Sequence, residues 1–414
     1  MNPTRLLAGP PIAAGAESLA DHRLRVGARP RATRPGELAA SIERSGLLGR
    51  GGAAFPAARK WSAVAGRSAG DAVVLVNGAE GEPLSAKDRT LMNARPHLVL
   101  DGAELAAEAV GADRIVLYVG ADHANSVVAL RRAIGERGRE MVVPIEVVVS
   151  PAAYVAGEES AAVQYVNGGE ARPTGVPPRP FERGVDGRPT LVQNVETLAH
   201  VALIARYGDA WYRELGSGPT RGSALVTVGG DVAHPGVTEI AYGTTVRDLL
   251  SVAGGTVDKW SRGAVLLGGY FGGWLRAEEA ANQPLDPRSC RDAGSAFGCG
   301  VVHVLPPARC GVVATARILD YMAGQSAAQC GPCVFGLRAI ADATARIASA
   351  GSAHSDDLAH IVRWSGQLAG RGACKHPDGA VGLLRSALRT FSDEFDRHQR
   401  RGACIEAELQ GRVA

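Results

Sequence analysis

The sequence has few aromatic residues, no strong net charge and no long hydrophobic run. Phe, Trp and Tyr together make up 5% of the 414 residues, and the formal net charge is +3. Because the basic residues are scattered rather than clustered, nothing indicates binding to nucleic acid. No apolar run approaches the roughly 18–20 residues that a membrane-spanning helix needs. The sequence therefore predicts a protein that meets a membrane only through a partner.

The N-terminal residues also lack the features of a secretory signal. The apolar patch in MNPTRLLAGPPIAAGAESLADHR is short and interrupted by two prolines, without a recognisable cleavage site. We therefore expect a cytoplasmic protein, in which structural disulfides are rare. All seven cysteines lie in the last third of the chain. An odd number of crowded cysteines in such a protein indicates metal binding or redox chemistry rather than a disulfide framework.

Glycine, in contrast, is abundant. The chain has 53 glycines, almost twice the usual share of about 7%. Because 46% of the residues are hydrophobic, the chain is too apolar to be disordered, and the glycines indicate loops that approach a ligand closely. At roughly 100–200 residues per domain, the length predicts two to four domains.

The segment after residue 36 alternates between helical and strand patterns. AVVLVNGAEG (72–81), DRIVLYVGA and PIEVVVS predict strands, and amphipathic stretches between them predict helices. This alternation favours a parallel, doubly wound sheet. Ligands of such sheets bind at the carboxyl ends of the strands. The candidate site is therefore formed by VNGAEGEP (76–83) and by the segment that follows VVVS.

Three other regions have different patterns. Residues 1–36, rich in Pro, Gly and Ala, predict an extended lead-in. Residues 221–255 contain short alternating strands, a Pro-Gly turn and one helix, which predict a small α+β module. From Gly311 onwards, four stretches carry apolar residues at helical spacing. Four successive helices with short connections indicate a bundle.

Four motifs could bind a cofactor, and each has a structural alternative. GRGGAAFPAARKW (49–61) places glycines before a helix N-terminus, which suits a phosphate but also a tight turn. VNGAEGEPLSAKDR (76–89) places acids at a strand end, where they bind a polar cofactor or lie in a solvated turn. The acids of AAYVAGEESAAVQYVNG (152–168) suit a helix dipole. Asn194 in QNVETLAH (193–200) is a helix cap.

The stretch AAQCGPCVFG (327–336) allows two kinds of cysteine chemistry. CGPC forms a redox disulfide in thioredoxin-like proteins, where a strand precedes it and a helix follows within a βαβ unit. Here Gln329 precedes CGPC and the surrounding sequence is helical. We therefore favour the other interpretation, in which Cys330 and Cys333 bind a metal or an iron–sulfur cluster.

The order and spacing of these motifs resemble one family. GLLGRGGAAFP, VNGAEGEP, AYVAGEESA, PTLVQNVETL, GGDVAHPGV and CGPC with a late cysteine occur in one chain. They resemble the NADH- and FMN-binding flavoprotein subunit of respiratory complex I and the diaphorase subunits of NAD-linked hydrogenases and formate dehydrogenases. The resemblance implies an α/β Rossmann-like flavin domain (37–215), a small α+β ubiquitin-like SLBB module (216–285) and a C-terminal four-helix bundle that binds an iron–sulfur cluster (305–400).

The resemblance also implies site residues. Those that match FMN contacts are Gly49, Arg50, Gly51, Gly52, Lys60, Asn77, Glu80, Gly157, Glu158, Glu159, Val192, Gln193, Asn194 and Thr197. Phe55 and Glu82 match nicotinamide positions. In the family, FMN accepts hydride from NADH and passes single electrons to a [4Fe–4S] cluster. An iron–sulfur or ferredoxin-like protein partner is implied as well.

The chain departs from the family pattern around the nicotinamide. Ala63 stands where the family has an aromatic residue, and Ala79 where it has Asp. Val176 and Arg179 occupy positions of a Lys and a Phe. Missing rings weaken a stacking platform by on the order of 0.5–1.5 kcal/mol each. FMN is therefore expected, while the donor is NAD(H) or a ferredoxin-type protein; a non-catalytic scaffold subunit is the remaining alternative.

The cluster motif is incomplete. Cys330, Cys333 and Cys374 match three ligands, and Ala327 occupies the position of the fourth. Because a [4Fe–4S] cluster normally takes four thiolates, the alternatives are a [4Fe–4S] cluster with a non-cysteine ligand such as His376, a [3Fe–4S] cluster, or loss of the cluster. The remaining cysteines are expected to be small buried hydrophobic residues: Cys290, Cys299, Cys310 and Cys404.

Overall fold

A computed structural model describes residues 4–30, 36–256, 263–349, 356–401 and 404. The chain forms two compact units. The first consists of Met1–Val226 with Val237–Gly243, and the second of Thr227–Gly236 with Thr244–Ala414. No helix within the described residues is both long and apolar enough to cross a membrane.

The first unit contains a four-stranded parallel sheet. Its strands are β1 (Ala72–Gly78), β2 (Ala112–Gly120), β3 (Ile145–Ser150) and β4 (Thr190–Asn194). The strand order is β3-β2-β1-β4, and every neighbouring pair is parallel. The chain thus moves outward from β1 to β3 and returns to the other side of β1 as β4. The predicted parallel sheet is confirmed.

Helices cover both faces of this sheet. In β1, Val74 and Val76 face one hydrophobic core while Val73 and Leu75 face another, the alternation expected of a strand buried on both faces. The helices of this unit are α1 (Leu19–Val26), α2 (Glu37–Ser45), α3 (Ala57–Ala65), α4 (Lys87–Ala94), α5 (Pro96–Val110), α6 (Ala124–Arg137), α7 (Glu159–Val166) and α8 (Val195–Arg213).

The N-terminal lead-in is more structured than the sequence predicts. Residues 19–26 of the expected extended segment form α1, because Ser18 caps the helix by accepting a hydrogen bond from the N–H of Asp21. His22, on this helix, is buried and contacts Asp101 at 2.8 Å. Composition alone did not reveal this buried polar anchor.

The middle of the chain forms a second, mixed sheet. The elements of this stretch of the chain are β5 (Ser223–Gly230), β6 (Gly236–Ala241), α9 (Val246–Val252), β7 (Ala264–Leu267), β8 (Gly273–Arg276), α10 (Ala277–Ala281), α11 (Pro287–Asp292) and β9 (Val301–Leu305). Thr227–Gly230 of β5 pairs in parallel with β9, and β7 pairs antiparallel with both β8 and β9. The strands and α9 agree with the predicted α+β module, and Pro235 directly precedes β6.

The C-terminal region is helical, with one difference from prediction. It contains α12 (Gly311–Gly324), α13 (Arg338–Ala348), α14 (Asp357–Leu368), α15 (His376–Thr390) and α16 (Ser392–Arg401). The expected fourth helix is divided into α15 and α16 at Phe391, whose φ of −114° and ψ of 28° interrupt the helix. The Phe391 ring packs where a Cβ on Gly311 would lie, so tertiary packing determines this break.

Candidate functional site

The candidate cofactor site lies at the carboxyl ends of β1 and β4. Asn77 is the register partner of Asn194 across these two strands. This is also the point at which the strand order reverses, since β2 and β3 lie on one side of β1 and β4 on the other. Crevices at such switch points are where open α/β sheets bind their ligands.

The glycine loop that precedes α3 lies against the end of β4. A Cβ on Gly51 would be 3.6 Å from the Cβ of Asn194, and one on Gly49 would be 4.0 Å from Nε2 of Gln193. Gly52 has a φ of +105°, a conformation that side chains disfavour. The N–H groups of Gly51 and Gly52 have no partner within the described residues, so they can serve an anionic or polar ligand.

Arg50 of this loop has a structural role through its side chain. The guanidinium is buried and donates at 2.9 Å to both Tyr212 Oη and the carbonyl of Ser223. It also lies 4.7 Å from the ring centroid of Tyr242. The backbone N–H of Arg50 donates to Oγ1 of Thr197 at 2.9 Å. Arg50 thus anchors the loop to the core, and Thr197 secures it to the start of α8.

A buried charge network supports Asn194, and the sequence interpretation missed most of it. Lys87 Nζ lies 2.6 Å from Oδ1 of Asp88 and 2.9 Å from Oε2 of Glu196. Burial would lower the pKa of Lys87, but the charges of Asp88, Glu196 and Glu80 raise it, so the ammonium stays charged. Burial raises the pKa of Asp88 against the opposing effect of Lys87.

This network fixes the orientation of the Asn194 amide. Its Nδ2 donates to Oδ2 of Asp88 at 2.7 Å, and its Oδ1 accepts the N–H of Glu196 at 3.0 Å. The predicted capping role of Asn194 at the start of α8 is confirmed. Lys87 and Glu196 are 109 positions apart in the sequence, so no local pattern indicated their pairing.

Two further interactions connect the strand end with the acidic turn before α7. Asn77 Nδ2 donates to the carbonyl of Gly157 at 2.8 Å. Lys60 on α3 forms an ion pair with Glu159 at 2.6 Å, and both side chains are about one-third exposed, at 33% and 30%. The structure therefore brings Lys60, Asn77, Gly157 and Glu159 together at the site. An exposed ammonium at this position suits a phosphate.

Glu80 and Glu158, expected as flavin contacts, use their carboxylates to cap helices. Glu80 has a φ of +42° and accepts the N–H groups of Asp88 and Arg89, both at 2.9 Å. Glu158 accepts the N–H groups of Ser160 and Ala161 at 2.9 and 3.1 Å. The carboxylates of both residues therefore stabilise the turns at the starts of α4 and α7.

Gln193 provides the clearest test of whether FMN fits. Its side chain is buried, yet Oε1 has no hydrogen-bond partner among the residues the structure describes. Buried polar atoms are normally satisfied, so this oxygen is suited to a donor on a ligand. It lies in β4 between Val192 and Asn194, beside the glycine loop. The flavin ring carries such a donor, and the set of residues fits FMN.

The residues expected at the nicotinamide differ in exposure. Phe55 is 45% exposed and free to stack on a planar ring. Glu82 is buried, with Oε2 accepting from the Tyr154 hydroxyl at 3.1 Å. Ala79 is buried beside Gly157, where a Cβ would be 3.6 Å away. Val176 is 48% exposed. Among the described residues expected at the nicotinamide, Phe55 is therefore the one exposed aromatic ring on which it could stack.

Cys374 lies near enough to Cys333 of the CGPC motif to influence its pKa, but Cys330, Cys333 and Cys374 are not among the described side chains whose ligand atoms all lie within 4.8 Å of one another. Residues Pro332–Leu337 form a π-helix that begins within the motif, a geometry frequent at functional sites. Burial opposes ionisation of Cys330, but N–H donors from Ala373 and Cys333 lower its pKa. Burial and the neighbouring Cys330 and Cys374 raise the pKa of Cys333 to about 12. A helix, α12, precedes the motif rather than the strand of a thioredoxin.

Ala327, at the first position of the expected cluster motif, is buried and its side chain has no atom that could bind iron. The expected motif therefore offers three cysteine ligands, Cys330, Cys333 and Cys374. His376 is also buried, and its Nε2 contacts the carbonyl of Met322 at 2.7 Å. Burial lowers the pKa of His376, so the imidazole is neutral, the form in which histidine binds metals.

The fold and the two sites together define a flavin- and iron–sulfur-binding oxidoreductase. Three family models match the chain: "Nuo51 FMN-binding domain" over residues 42–203, "SLBB domain" over 225–269, and "NADH-ubiquinone oxidoreductase-F iron-sulfur binding region" over 313–398. The chain belongs to the family of FMN-binding flavoprotein components of NADH-quinone oxidoreductases and NAD(P)-linked hydrogenases.

Individual relatives agree with this assignment. One subunit of the NADH-quinone oxidoreductase of Rhizobium meliloti (strain 1021) is 32% identical over 89% of this chain and 90% of its own. NADP-reducing hydrogenase subunit HndC of Solidesulfovibrio fructosivorans is 28% identical over 88% of this chain and 76% of its own. The crystal structure of an NAD+-reducing [NiFe]-hydrogenase in the H2-reduced state matches with a TM-score of 0.82 and 31% identity, over 92% of this chain and 66% of that chain.

Proposed function

We propose that this protein is an FMN-dependent electron-transfer subunit that moves electrons between NAD(H) and an iron–sulfur centre or ferredoxin-like partner. The observation that carries the proposal is the arrangement at the carboxyl ends of β1 and β4, where the glycine loop, paired Asn77 and Asn194, and the unpartnered Oε1 of Gln193 lie close together. When bound, FMN would accept an electron pair and release single electrons.

The proposed architecture has three domains. A Rossmann-like FMN domain spans residues 37–215, a ubiquitin-like SLBB module 216–285, and a four-helix iron–sulfur bundle 305–400. Each family model lies inside one of these segments, which supports the division. The bundle segment includes α16, which is the second part of the divided fourth helix.

The residues of this chain would hold FMN in distinct ways. The N–H groups of Gly51 and Gly52 and the ammonium of Lys60 would neutralise the phosphate. The amides of Asn77, Gln193 and Asn194 contact polar edges of the ring, and Val192 contributes apolar surface beside them. The residues that position these groups, through the hydrogen bonds of the loop and turns, are Arg50, Glu80, Glu158, Gly157 and Thr197.

In the second unit, Cys330, Cys333 and Cys374 would hold an iron–sulfur cluster. Three thiolates and Ala327 leave one position for a ligand that is not cysteine, such as the neutral imidazole of His376, or a [3Fe–4S] cluster. Both predict fewer cysteine ligands than the [4Fe–4S] clusters of the family. The remaining alternative is that the cluster has been lost. Analysis of the iron and sulfide content of the protein distinguishes this alternative from a bound cluster.

A protein donor is the second candidate function. Ala63, Ala79, Val176 and Arg179 replace family residues near the nicotinamide, and Phe55 is the one exposed ring of that set within the described residues. Weak binding of NADH would then accompany reduction by a reduced ferredoxin-type protein. The partners in either case are iron–sulfur proteins, consistent with the relatives' names as subunits.

The test is an absorption and EPR spectrum of anaerobically purified protein, reconstituted with FMN, before and after addition of NADH. We expect a flavin band that NADH bleaches and an iron–sulfur signal that appears on reduction. A flavin band that only a reduced ferredoxin bleaches favours the protein donor. Protein that takes up neither flavin nor iron contradicts both functions and leaves the scaffold alternative.

A further inference from the structure

A second group of metal-ligand side chains lies outside the CGPC motif, in the same C-terminal region. Cys310, His398 and Cys404 place one ligand atom each within 4.8 Å of one another, and all three are buried. The Cys310 Sγ lies 3.2 Å from the His398 Nε2. Taken singly, Cys310 and Cys404 are expected to be small buried hydrophobic residues, and no sequence motif includes His398.

The geometry points to a zinc-binding site formed by Cys310, His398 and Cys404. Thiolate and imidazole are the ligands that structural zinc sites use. With zinc–ligand bonds of about 2.0–2.3 Å, tetrahedral ligand atoms lie about 3.5–3.8 Å apart, a spacing that these atoms reach with small adjustments. Two thiols and an imidazole that converge in this way differ from single cysteines buried among apolar side chains.

The orientation of His398 supports this assignment. Its Nδ1 contacts the carbonyl of Ile347 at 2.9 Å, which leaves Nε2 directed at Cys310. Histidines that bind metals almost always donate their other ring nitrogen to a carbonyl or carboxylate in this way. The bond fixes the tautomer with the proton on Nδ1 and the lone pair on Nε2.

Glu394, on the same helix as His398, is the candidate for a fourth ligand, although its carboxylate is not among the ligand atoms that already lie within 4.8 Å of one another. Glu394 precedes His398 by one helical turn of α16, contacts the Cys310 thiol, and accepts the N–H of Gly311 at 2.8 Å. Cys310 is the N-cap residue of α12 and receives an N–H hydrogen bond from Val313. With the Glu394 carboxylate, two cysteines, one histidine and one glutamate complete a closed site of the structural class.

Such a site would connect distant parts of the second unit. It joins the start of α12, the last helix α16 and Cys404, and its second and third ligands are 88 and 94 positions from Cys310 along the chain. Because these connections close long loops, a metal that bridges them is stabilising. Burial of all three side chains excludes substrate, so the role is structural rather than catalytic.

The test measures zinc, iron and acid-labile sulfide in the same samples of full-length protein, purified from zinc-supplemented cells and desalted. We expect about one zinc per chain in the wild type. C310S and C404S lose the zinc but retain iron. C330S loses iron but retains zinc, and C290S, a buried cysteine outside both groups, retains both.

Two further measurements keep the test independent of folding defects. The cobalt-substituted wild type should show thiolate-to-cobalt charge-transfer absorption, and C404S should lack it while its circular dichroism matches the wild type. E394Q should bind zinc at least about tenfold more weakly; unchanged affinity overturns Glu394 as the fourth ligand. Wild-type protein without zinc, zinc retained by C310S and C404S, or a Cys310–Cys404 disulfide by mass spectrometry overturns the site.

Discussion

Two lysine–carboxylate pairs near the proposed flavin site have the same N–O distance, but mutation of their lysines should affect stability differently. Lys87 contacts Asp88 and Lys60 contacts Glu159, each at 2.6 Å. The Lys87 side chain is 3% exposed, whereas that of Lys60 is 33% exposed. Removing one partner of a buried pair costs about 3–5 kcal/mol, because the other charge is left buried and unpaired. An exposed pair contributes about 0–1 kcal/mol.

We therefore expect Lys87→Met to destabilise the protein strongly and Lys60→Met to leave stability nearly unchanged. For a unit of this size, the K87M loss lowers the melting temperature by on the order of 10 °C. The loss should shrink as pH falls, because burial raises the pKa of Asp88 and this carboxylate takes up a proton more readily once Lys87 is absent. The assay is thermal unfolding followed by circular dichroism, with K60M as the matched control.

The affinity for FMN should be weakened in K60M, the variant whose stability is expected to be nearly unchanged. In the proposed complex Lys60 donates a charge-assisted hydrogen bond to the phosphate, so K60M should weaken FMN binding by about ten- to a hundredfold. Melting temperatures of K87M and K60M within about 2 °C of each other would refute the assignment of Lys87 to a buried structural network. Unchanged FMN affinity in K60M would refute the placement of the phosphate beside α3.

Three other changes test further parts of the structure. Burial raises the pKa of Glu239 to about 7 from 4.5, so its proton stabilises the folded state at low pH. That contribution, on the order of 3 kcal/mol, is lost as pH rises from about 4.5 to about 7. The free energy of unfolding of E239Q should lack this pH dependence. Ala327→Cys should raise iron retention, measured per chain after desalting, and unchanged iron would contradict the assigned ligand position. Phe55→Ala should raise the KM for NADH roughly two- to tenfold without changing the melting temperature; an unchanged KM favours the protein donor.

The sequence predicted the elements of the site better than the roles of its side chains. The apolar run 72–81 identified β1, and the capping pattern at Asn194 identified the start of α8. Both depend on local periodicity and hydrogen bonding, which a short stretch of sequence encodes. The parallel sheet followed from the alternation of strands and helices.

Roles that depend on distant contacts were not predictable in the same way. Glu80 and Glu158 belong to acidic motifs suited to a flavin, yet their carboxylates cap α4 and α7. Arg50 belongs to a ligand loop, yet its guanidinium is buried against Tyr212. The partners of these side chains are set by backbone turns and by packing between segments far apart in the sequence.

The central claim is that FMN binds at the carboxyl ends of β1 and β4. Hydrogen–deuterium exchange of the wild-type protein with and without FMN tests it most directly, because it locates binding along the chain. We expect slowed exchange in peptides that cover residues 49–52, 77–80 and 192–194. Saturating FMN that protects none of these segments, or protects only other regions, would contradict it.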